Sequence, residues 1–214
     1  MDALLVIPVL LFSVIIHEVA HGYVAYRCGD PTAAALGRLT LNPLPHVDPV
    51  GTVILPALLL LTGSPLLIGW AKPVPVNAAR LRNPRRDHLL VSLAGAAANL
   101  CAATVCTIAY GVYVNLSGGA GSGRDAVMLL CNYGIRINVV LAVFNLMPVP
   151  PLDGSWVLYH LLPDRMAAAY RRLFPFGFMI LVALLVTNML QRMMTPVANL
   201  VLGLLQQLLH TVVA

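Results

Sequence analysis

His17, Glu18 and His21 are the residues whose types and spacing have the clearest chemical meaning, because they form the pattern H-E-x-x-H. On a helix, residues four positions apart share one face, so the two imidazoles could bind one Zn²⁺. Glu18 lies about 100° further round the helix and could act on a water molecule there without binding the ion. It is the only Glu in the chain, and an ionisable side chain inside an apolar helix is costly and by default functional. The spacing therefore predicts a zinc site.

A catalytic zinc ion needs a third protein ligand and one open position, and the sequence offers two sources for that ligand. Asp153 lies within 144–154, where most residues are apolar or proline, so its carboxylate needs a strong partner once it is buried. His46 and Asp48 lie in the turn-rich stretch 42–49. The cost of burying a carboxylate favours Asp153, and His46 with Asp48 remains the alternative.

The elements that must position these residues are apolar. Of the 214 residues, 13 are Lys or Arg and 8 are Asp or Glu, so 10% are charged, while 59% are hydrophobic. A soluble domain carries about 25% charged residues, and disordered chains have far less apolar content. Four cysteines in a chain of this length exclude a disulfide scaffold, and most of the chain lacks the basic clusters of nucleic-acid binders. We therefore predict an all-α polytopic membrane protein that lies in the lipid bilayer and binds no nucleic acid.

We expect one membrane-embedded metalloprotein domain over 1–214, with about four to six transmembrane helices, since a span needs about 20 mostly apolar residues. Turn residues predict a short membrane-associated β-hairpin at 34–50 after the first helix, followed by a broken or re-entrant segment at 51–70. The helices are predicted at about 3–26, 88–116, 126–147, 155–162 (short), 174–190 and 198–209, the last as an amphipathic or membrane-lying helix.

The segment 51–70 decides the topology. If it crosses the membrane fully, the basic residues other than Arg136 and Arg192 divide eight to three, whereas re-entry places ten on one side against Arg124. The positive-inside rule favours re-entry, with Arg38 and Arg80 both cytoplasmic and the N-terminus outside. The ten basic residues are Arg27, Arg38, Lys72, Arg80, Arg82, Arg85, Arg86, Arg165, Arg171 and Arg172.

Several motifs together resemble the site-2 protease family of intramembrane zinc metalloproteases, in particular its short bacterial-type group without PDZ or CBS domains. His17-Glu18-x-x-His21-Gly22 matches the zinc motif of the family, and the stretch from Asn145 to Gly154 matches its second signature, N-x-x-P-x-x-x-x-D-G. The stretches 42–52 and 69–77 resemble sequences common in this group. The resemblance runs from about residue 13 to residue 157.

The resemblance implies roles for individual residues. Asp153 would be the third zinc ligand beside His17 and His21, and Glu18 would be the general base. Asn145 would hold the substrate or the oxyanion. Residues 94–99 look like the G-P-x-x-N helix signature of the family, although Ala96 replaces the usual proline. This signature places Asn99 at the site as a second candidate for binding the oxyanion. Gly95 and His46 are candidate substrate-binding residues.

The resemblance also implies an activity and partners. We expect an intramembrane zinc endopeptidase with one Zn²⁺ per chain, a transmembrane protein as substrate and a membrane-anchored regulator. The expected location is the bacterial cytoplasmic membrane, as a multi-pass protein. The alternative is a non-catalytic metal-binding membrane transporter or scaffold, because transporters also bury His, Asp and Asn near the midplane. Glu18 distinguishes the two, since a transporter site would use it as a ligand.

Overall fold

All regular elements in the described part of the chain are helical. The computed structural model describes residues 2–54, 57–58, 61–62, 72–117 and 126–213. Its α-helices are α1 (Asp2–Arg27), α2 (Thr32–Ala35), α3 (Pro84–Leu116), α4 (Ala126–Asn145), α5 (Asp153–Leu161), α6 (Asp164–Arg171), α7 (Gly177–Val186) and α8 (Met189–Val213). Shorter helical turns cover Leu44–His46, Ala78–Arg80 and Phe174–Phe176, and Pro49–Ile54 forms a π-helix.

Five described segments are long and apolar enough to cross a membrane: Leu5–Arg27, Pro84–Leu116, Ala126–Asn145, Asp164–Val186 and Met189–Val213. Large apolar side chains on the outside of these helices are exposed, such as Phe178 and Val186, which are 72% and 74% exposed. Such a surface suits lipid and not water. The prediction of an all-helical, multi-pass membrane protein is therefore confirmed.

The start of α3 is specified by local sequence. Pro84 occupies the first helical position, where its missing N–H costs nothing and its fixed φ suits a helix. The carboxylate of Asp87, in the first turn of α3, accepts a hydrogen bond from the Asn83 N–H at 2.8 Å, which satisfies a backbone donor at the start of the helix. These contacts fix the end of the helix that carries Gly95 and Asn99.

α3 runs antiparallel to α1. The Asn99 amide meets the carbonyl of Ser13, whereas the carbonyl of Val91 meets His21, two turns further along α1. The order of the contacts is therefore reversed between the two helices. Small buried residues of α3, including Ala94 and Gly95, allow this close approach.

α3 is also antiparallel to α4, so α1 and α4 run parallel to each other. Asn99 meets Asn138, while Cys106, two turns further along α3, packs against Gly134, one turn earlier on α4. A Cβ added to Gly134 would lie 2.6 Å from the Cys106 sulfur, so this approach requires glycine. The parallel arrangement brings residues that follow α4 to the same level as the second half of α1.

The chain leaves α1 and enters α3 at the same end of the helices. The Arg82 N–H donates to the Cys28 carbonyl at 3.0 Å. Buried Asp30 accepts hydrogen bonds from the Thr32 N–H at 3.0 Å and the Asn77 N–H at 2.6 Å. Burial alone would raise the pKa of Asp30, but the hydrogen bond from the Thr32 hydroxyl and the two N–H hydrogen bonds outweigh burial and lower the pKa. A charged, fully bonded carboxylate thus ties the two ends of this connection together.

The predicted β-hairpin at 34–50 is wrong, because this stretch, all of it described, contains no strand and forms helical and polar turns. Its three prolines cannot donate to a ladder, and short side chains satisfy the remaining backbone donors locally. Asn42 accepts from the Leu44 N–H at 3.1 Å, and Asp48 accepts from the Gly51 N–H at 2.7 Å. The expectation that 51–70 is re-entrant falls largely outside the described residues and stays a prediction.

Two of the expected helices, 198–209 and 174–190, differ clearly from the observed ones. α8 covers Met189–Val213, not only 198–209, and packs along α3 and α4, as where Asn115 donates to the Val212 carbonyl at 2.8 Å. The predicted helix at 174–190 is divided, because α7 ends at Val186 and Asn188 has φ 56°. Asn tolerates this left-handed conformation better than most residues.

We predict that the end of the helices carrying Arg80 faces the cytoplasm, because the basic residues gather there. Single cysteines that replace Leu44 and Arg80 in a Cys-free background test this orientation. Leu44 is 75% exposed and Arg80 is exposed, whereas Arg38 is only 6% exposed and is therefore unsuitable for labelling. A membrane-impermeant maleimide should label neither in intact cells and both after lysis. A cysteine at Leu116, 83% exposed at the opposite end of α3, should react in intact cells.

Different labelling at the two positions would contradict their placement at one end. Protection of position 116 with labelling of the other two in intact cells would reverse the orientation.

Candidate metal centre

His17, His21 and Asp153 converge on one point. The Nε2 atoms of the two imidazoles lie 2.9 Å apart, and each lies 3.1 Å from Oδ2 of Asp153. Within the described residues, these three form the group of His, Cys, Asp or Glu with ligand atoms close enough to hold one metal ion. The structure therefore brings Asp153, and neither His46 nor Asp48, to the histidine pair.

Asp153 is delivered by the sharp turn between α4 and α5. It is the first residue of α5, and Gly154 packs so tightly that an added Cβ would lie 2.2 Å from the Leu146 carbonyl oxygen. The Asp-Gly pair is thus a steric requirement of the turn. The carboxylate of Asp153 lies 3.1 Å from Nε2 of both histidines, and it would bind a metal ion in its ionised form.

His17 is oriented by a buried amide. Its Nδ1 lies 2.6 Å from Oδ1 of Asn99. The Asn99 Nδ2 donates to the Ser13 carbonyl at 3.1 Å and to Oδ1 of Asn138 at 2.8 Å, so this network assigns the amide oxygen to the side facing His17. Nδ1 of His17 must then be the protonated nitrogen, which leaves the Nε2 lone pair for a metal.

His21 is held in the same tautomer by a backbone group. Its Nδ1 donates to the Val91 carbonyl at 2.7 Å, and a carbonyl can only accept. Both imidazoles therefore present an unprotonated Nε2 to the carboxylate of Asp153. This donor set, two neutral imidazoles and one carboxylate, fits the three-ligand arrangement of catalytic zinc.

Sequence reasoning missed Ser13 and Asn138, which complete this network. Asn138 donates through Nδ2 to the Ser13 hydroxyl at 2.9 Å and to the Gly134 carbonyl at 2.8 Å. Ser13 in turn donates to the Val9 carbonyl at 2.8 Å. Polar side chains within apolar helices were a signal that partners must exist, but their pairing across three helices could not be read from spacing.

Gly95 makes the space in which the two imidazoles meet. A Cβ at this position would lie 2.4 Å from Cε1 of His17 and 2.5 Å from Nε2 of His21. Any side chain would therefore displace the metal-binding atoms. The close contact with the two histidines therefore explains why residue 95 is a glycine.

Glu18 lies next to the cluster and outside it. Its Oε2 accepts a hydrogen bond from the Val74 N–H at 2.7 Å, and the side chain is half-buried. This contact leaves Oε1 available for another proton donor. Glu18 is not among the residues whose ligand atoms form the cluster in the described part of the chain, and its role as a base stays a prediction.

Asn145 and His46 have local partners. Asn145 is half-buried at the end of α4, where its Nδ2 donates to the Leu141 carbonyl at 3.0 Å. His46 is fully buried, and its Nε2 lies 2.9 Å from the Thr40 carbonyl. The roles in substrate binding that the sequence suggests for both residues stay predictions.

Three bacterial proteins resemble the chain over most of its length. "Putative zinc metalloprotease YwhC" of Bacillus subtilis is 38% identical over 196 residues, covering 89% of this chain and 84% of the relative. The Rip2 protein of Mycolicibacterium smegmatis, with the same description, is 35% identical over 200 residues, covering 88% of this chain and 69% of the relative. Rip2 of Mycobacterium tuberculosis is 32% identical over 163 residues, covering 74% and 58%. No family model and no solved structure matches the chain.

We predict that Asn99→Leu lowers zinc affinity by about 10- to 100-fold, the usual effect of losing a group that orients a metal-binding histidine. Titration of the detergent-purified protein against a chromophoric chelator measures it. Asn132→Leu is the matched control, because Asn132 is an exposed amide on α4. If Asn99 served only the oxyanion, the variant would lose cleavage while its zinc affinity stayed at the wild-type value, and that result would contradict the assignment.

Proposed function

The chain belongs to the site-2 protease family and is a zinc metalloendopeptidase, and from this premise we propose that it hydrolyses peptide bonds in or near the transmembrane segments of other membrane proteins. The observation that carries the proposal is the convergence of His17, His21 and Asp153 among helices apolar enough to span a membrane, with Glu18 beside them. We further propose one Zn²⁺ per chain.

The residues divide into those that hold the ion and those that move protons. His17, His21 and Asp153 would hold zinc, which when bound lowers the pKa of a water molecule towards about 7 and polarises a carbonyl group. Glu18 accepts a proton from the attacking water and later donates it to the leaving amine, which regenerates the carboxylate. Oε1 of Glu18 is the atom for this transfer, since Oε2 is held by Val74.

Two asparagines have different supporting observations. All hydrogen-bonding groups of the Asn99 side chain face His17, Ser13 and Asn138, which supports a positioning role and not contact with the substrate. Within the described residues, the Asn145 side chain has one hydrogen bond, to its own helix, and could exchange it for a substrate carbonyl. We therefore propose Asn145 as the residue that binds the substrate or the oxyanion.

A membrane-embedded substrate sets a physical demand on this site. Peptide groups of a transmembrane helix are bonded within the helix, so the cleaved segment must unwind before its carbonyl can reach the ion. A transmembrane protein with a weak helical segment is the substrate that fits. A membrane-anchored regulator remains an expectation from the family. The proposed location is the bacterial cytoplasmic membrane, with the basic end inside.

The transporter alternative depends on Glu18. A transport site would use its carboxylate as a ligand, whereas the ligand cluster consists of His17, His21 and Asp153. Glu18 instead accepts a hydrogen bond from the Val74 N–H. This position supports a general base.

We predict that Glu18→Gln keeps stoichiometric zinc and loses cleavage, whereas Asp153→Ala loses zinc as well, because the first change removes a base and the second a ligand. Metal content of purified protein and accumulation of uncut membrane proteins in cells measure the two properties. Asp164→Asn, at an exposed acid, is the control and should behave as wild type.

Loss of zinc from Glu18→Gln would place Glu18 among the ligands and would support the transporter alternative. Full zinc in Asp153→Ala would move the third ligand to His46 or Asp48. The proteins whose membrane segments accumulate uncut in Glu18→Gln cells would identify the substrates.

A further inference from the structure

Residues 72–77 form an extended segment, here called the arm, that lies along the half of α1 that carries the metal site. The Lys72 N–H donates to the His46 carbonyl at 2.9 Å, and the Asn77 N–H donates to Asp30 at 2.6 Å. Both ends of the arm are therefore tied to the loop that follows α1. His46, a candidate for the site from sequence, contacts the arm through its own backbone.

The middle of the arm offers one backbone donor, and that donor goes to Glu18. Pro73 and Pro75 have no N–H, so between them Val74 alone can donate, and it does so to Oε2 of Glu18 at 2.7 Å. The prolines also restrict the backbone on both sides of Val74, because proline fixes its own φ and limits the preceding residue. The direction of this N–H is therefore built into the sequence.

The arm is pressed directly against α1. Val74 is only 7% exposed. A Cβ added to Gly22, the residue after the second histidine, would lie 2.6 Å from Cγ1 of Val74 and 2.7 Å from Cδ2 of Leu39. Gly22 therefore allows the Val74 backbone to come within hydrogen-bonding distance of Glu18.

Arg38 holds the arm from the other side. Its Nη2 donates to the carbonyls of Lys72 at 2.6 Å and Pro73 at 3.3 Å, the two residues before Val74. Arg38 is only 6% exposed, and no carboxylate of the described residues forms a salt bridge with it. Burying a guanidinium that is bonded only to carbonyls costs free energy. A role of Arg38 in fixing the arm explains why the residue is there despite this cost.

We propose that Val74 and Arg38 are positioning residues for the general base: the Val74 N–H, aimed by the grip of Arg38 on the two preceding carbonyls, holds Oε2 of Glu18 so that Oε1 faces the attacking water. This inference rests on the proposed function, because it assigns Glu18 as the base. It concerns orientation only, since neither residue touches the zinc ligands. The expected signature is a lower kcat with KM and zinc content unchanged.

The test compares Val74→Pro with Val76→Pro. The first removes the N–H that binds Glu18, and the second places proline two residues further along the same arm, at an N–H with no hydrogen bond among the described residues. The probe is a fluorescence-quenched peptide with an apolar stretch of about 20 residues, in detergent micelles. We expect Val74→Pro to lose about 100-fold in kcat, the size of effect that misplacing a reacting group by about 1 Å can have.

Val74→Ala keeps the N–H and should retain at least about ten times the kcat of Val74→Pro, consistent with an effect of orientation. Arg38→Met and Arg38→Lys form the second pair, in case Val74→Pro fails to fold. Arg38→Met should lower kcat without loss of zinc, and Arg38→Lys, which can still donate to the carbonyls, should restore part of it.

Three results would overturn the inference. Equal kcat in Val74→Pro and Val76→Pro would show that the N–H does not matter. Parallel loss of zinc and activity in both Val74→Pro and Arg38→Met would show that the arm only maintains the fold. Higher kcat in either variant would make the contact inhibitory. Wild-type protein that binds zinc and cleaves no membrane peptide would instead contradict the proposed function.

Discussion

Two imidazoles and a carboxylate lie among apolar helices, and each of their polar atoms needs a partner there because burial without one is costly. His17 meets this demand through Asn99, and His21 through the Val91 carbonyl. These contacts require α3 to lie close against α1. Gly95 permits that approach, since a Cβ there would occupy the position of the imidazoles. The order of the helices thus follows from satisfying the metal ligands.

The need for hydrogen-bond partners also explains the position of α4, the third helix of the core. The amide of Asn99 has further donors to satisfy, and Asn138 of α4 accepts from it. This contact sets the level of α4 relative to α1. Since α1 and α4 run parallel, the turn after α4 places Asp153 beside His17 and His21. One chain of hydrogen bonds across three helices therefore fixes both the tautomer of His17 and the position of the third ligand.

Sequence could predict the parts of the site whose geometry is local. The spacing of His17 and His21 specifies a shared helix face, and the cost of burying Asp153 pointed to a strong partner. The network through Asn138 joins residues far apart in sequence, so composition could show only that partners were needed. The predicted hairpin at 34–50 was wrong because its turn residues satisfy their own backbone, and turn residues alone do not show whether strands flank them.

The loops after α1 contribute to the site as much as the helices do. Arg38 holds the arm, and the Val74 N–H of the arm donates to Glu18. Pro73 and Pro75 have no N–H, so Val74 provides the one backbone donor between them. A backbone N–H thus orients Glu18, whereas a side chain of α3 orients His17 and a backbone carbonyl of α3 orients His21.

X-ray absorption spectroscopy of the zinc-loaded protein tests the central claim most directly, because it identifies the atoms bound to the ion. The account predicts two imidazole nitrogens at about 2.0–2.1 Å and oxygen ligands at about 2.0–2.2 Å. Three imidazoles, or a sulfur ligand at about 2.3 Å, would contradict a site built from His17, His21 and Asp153.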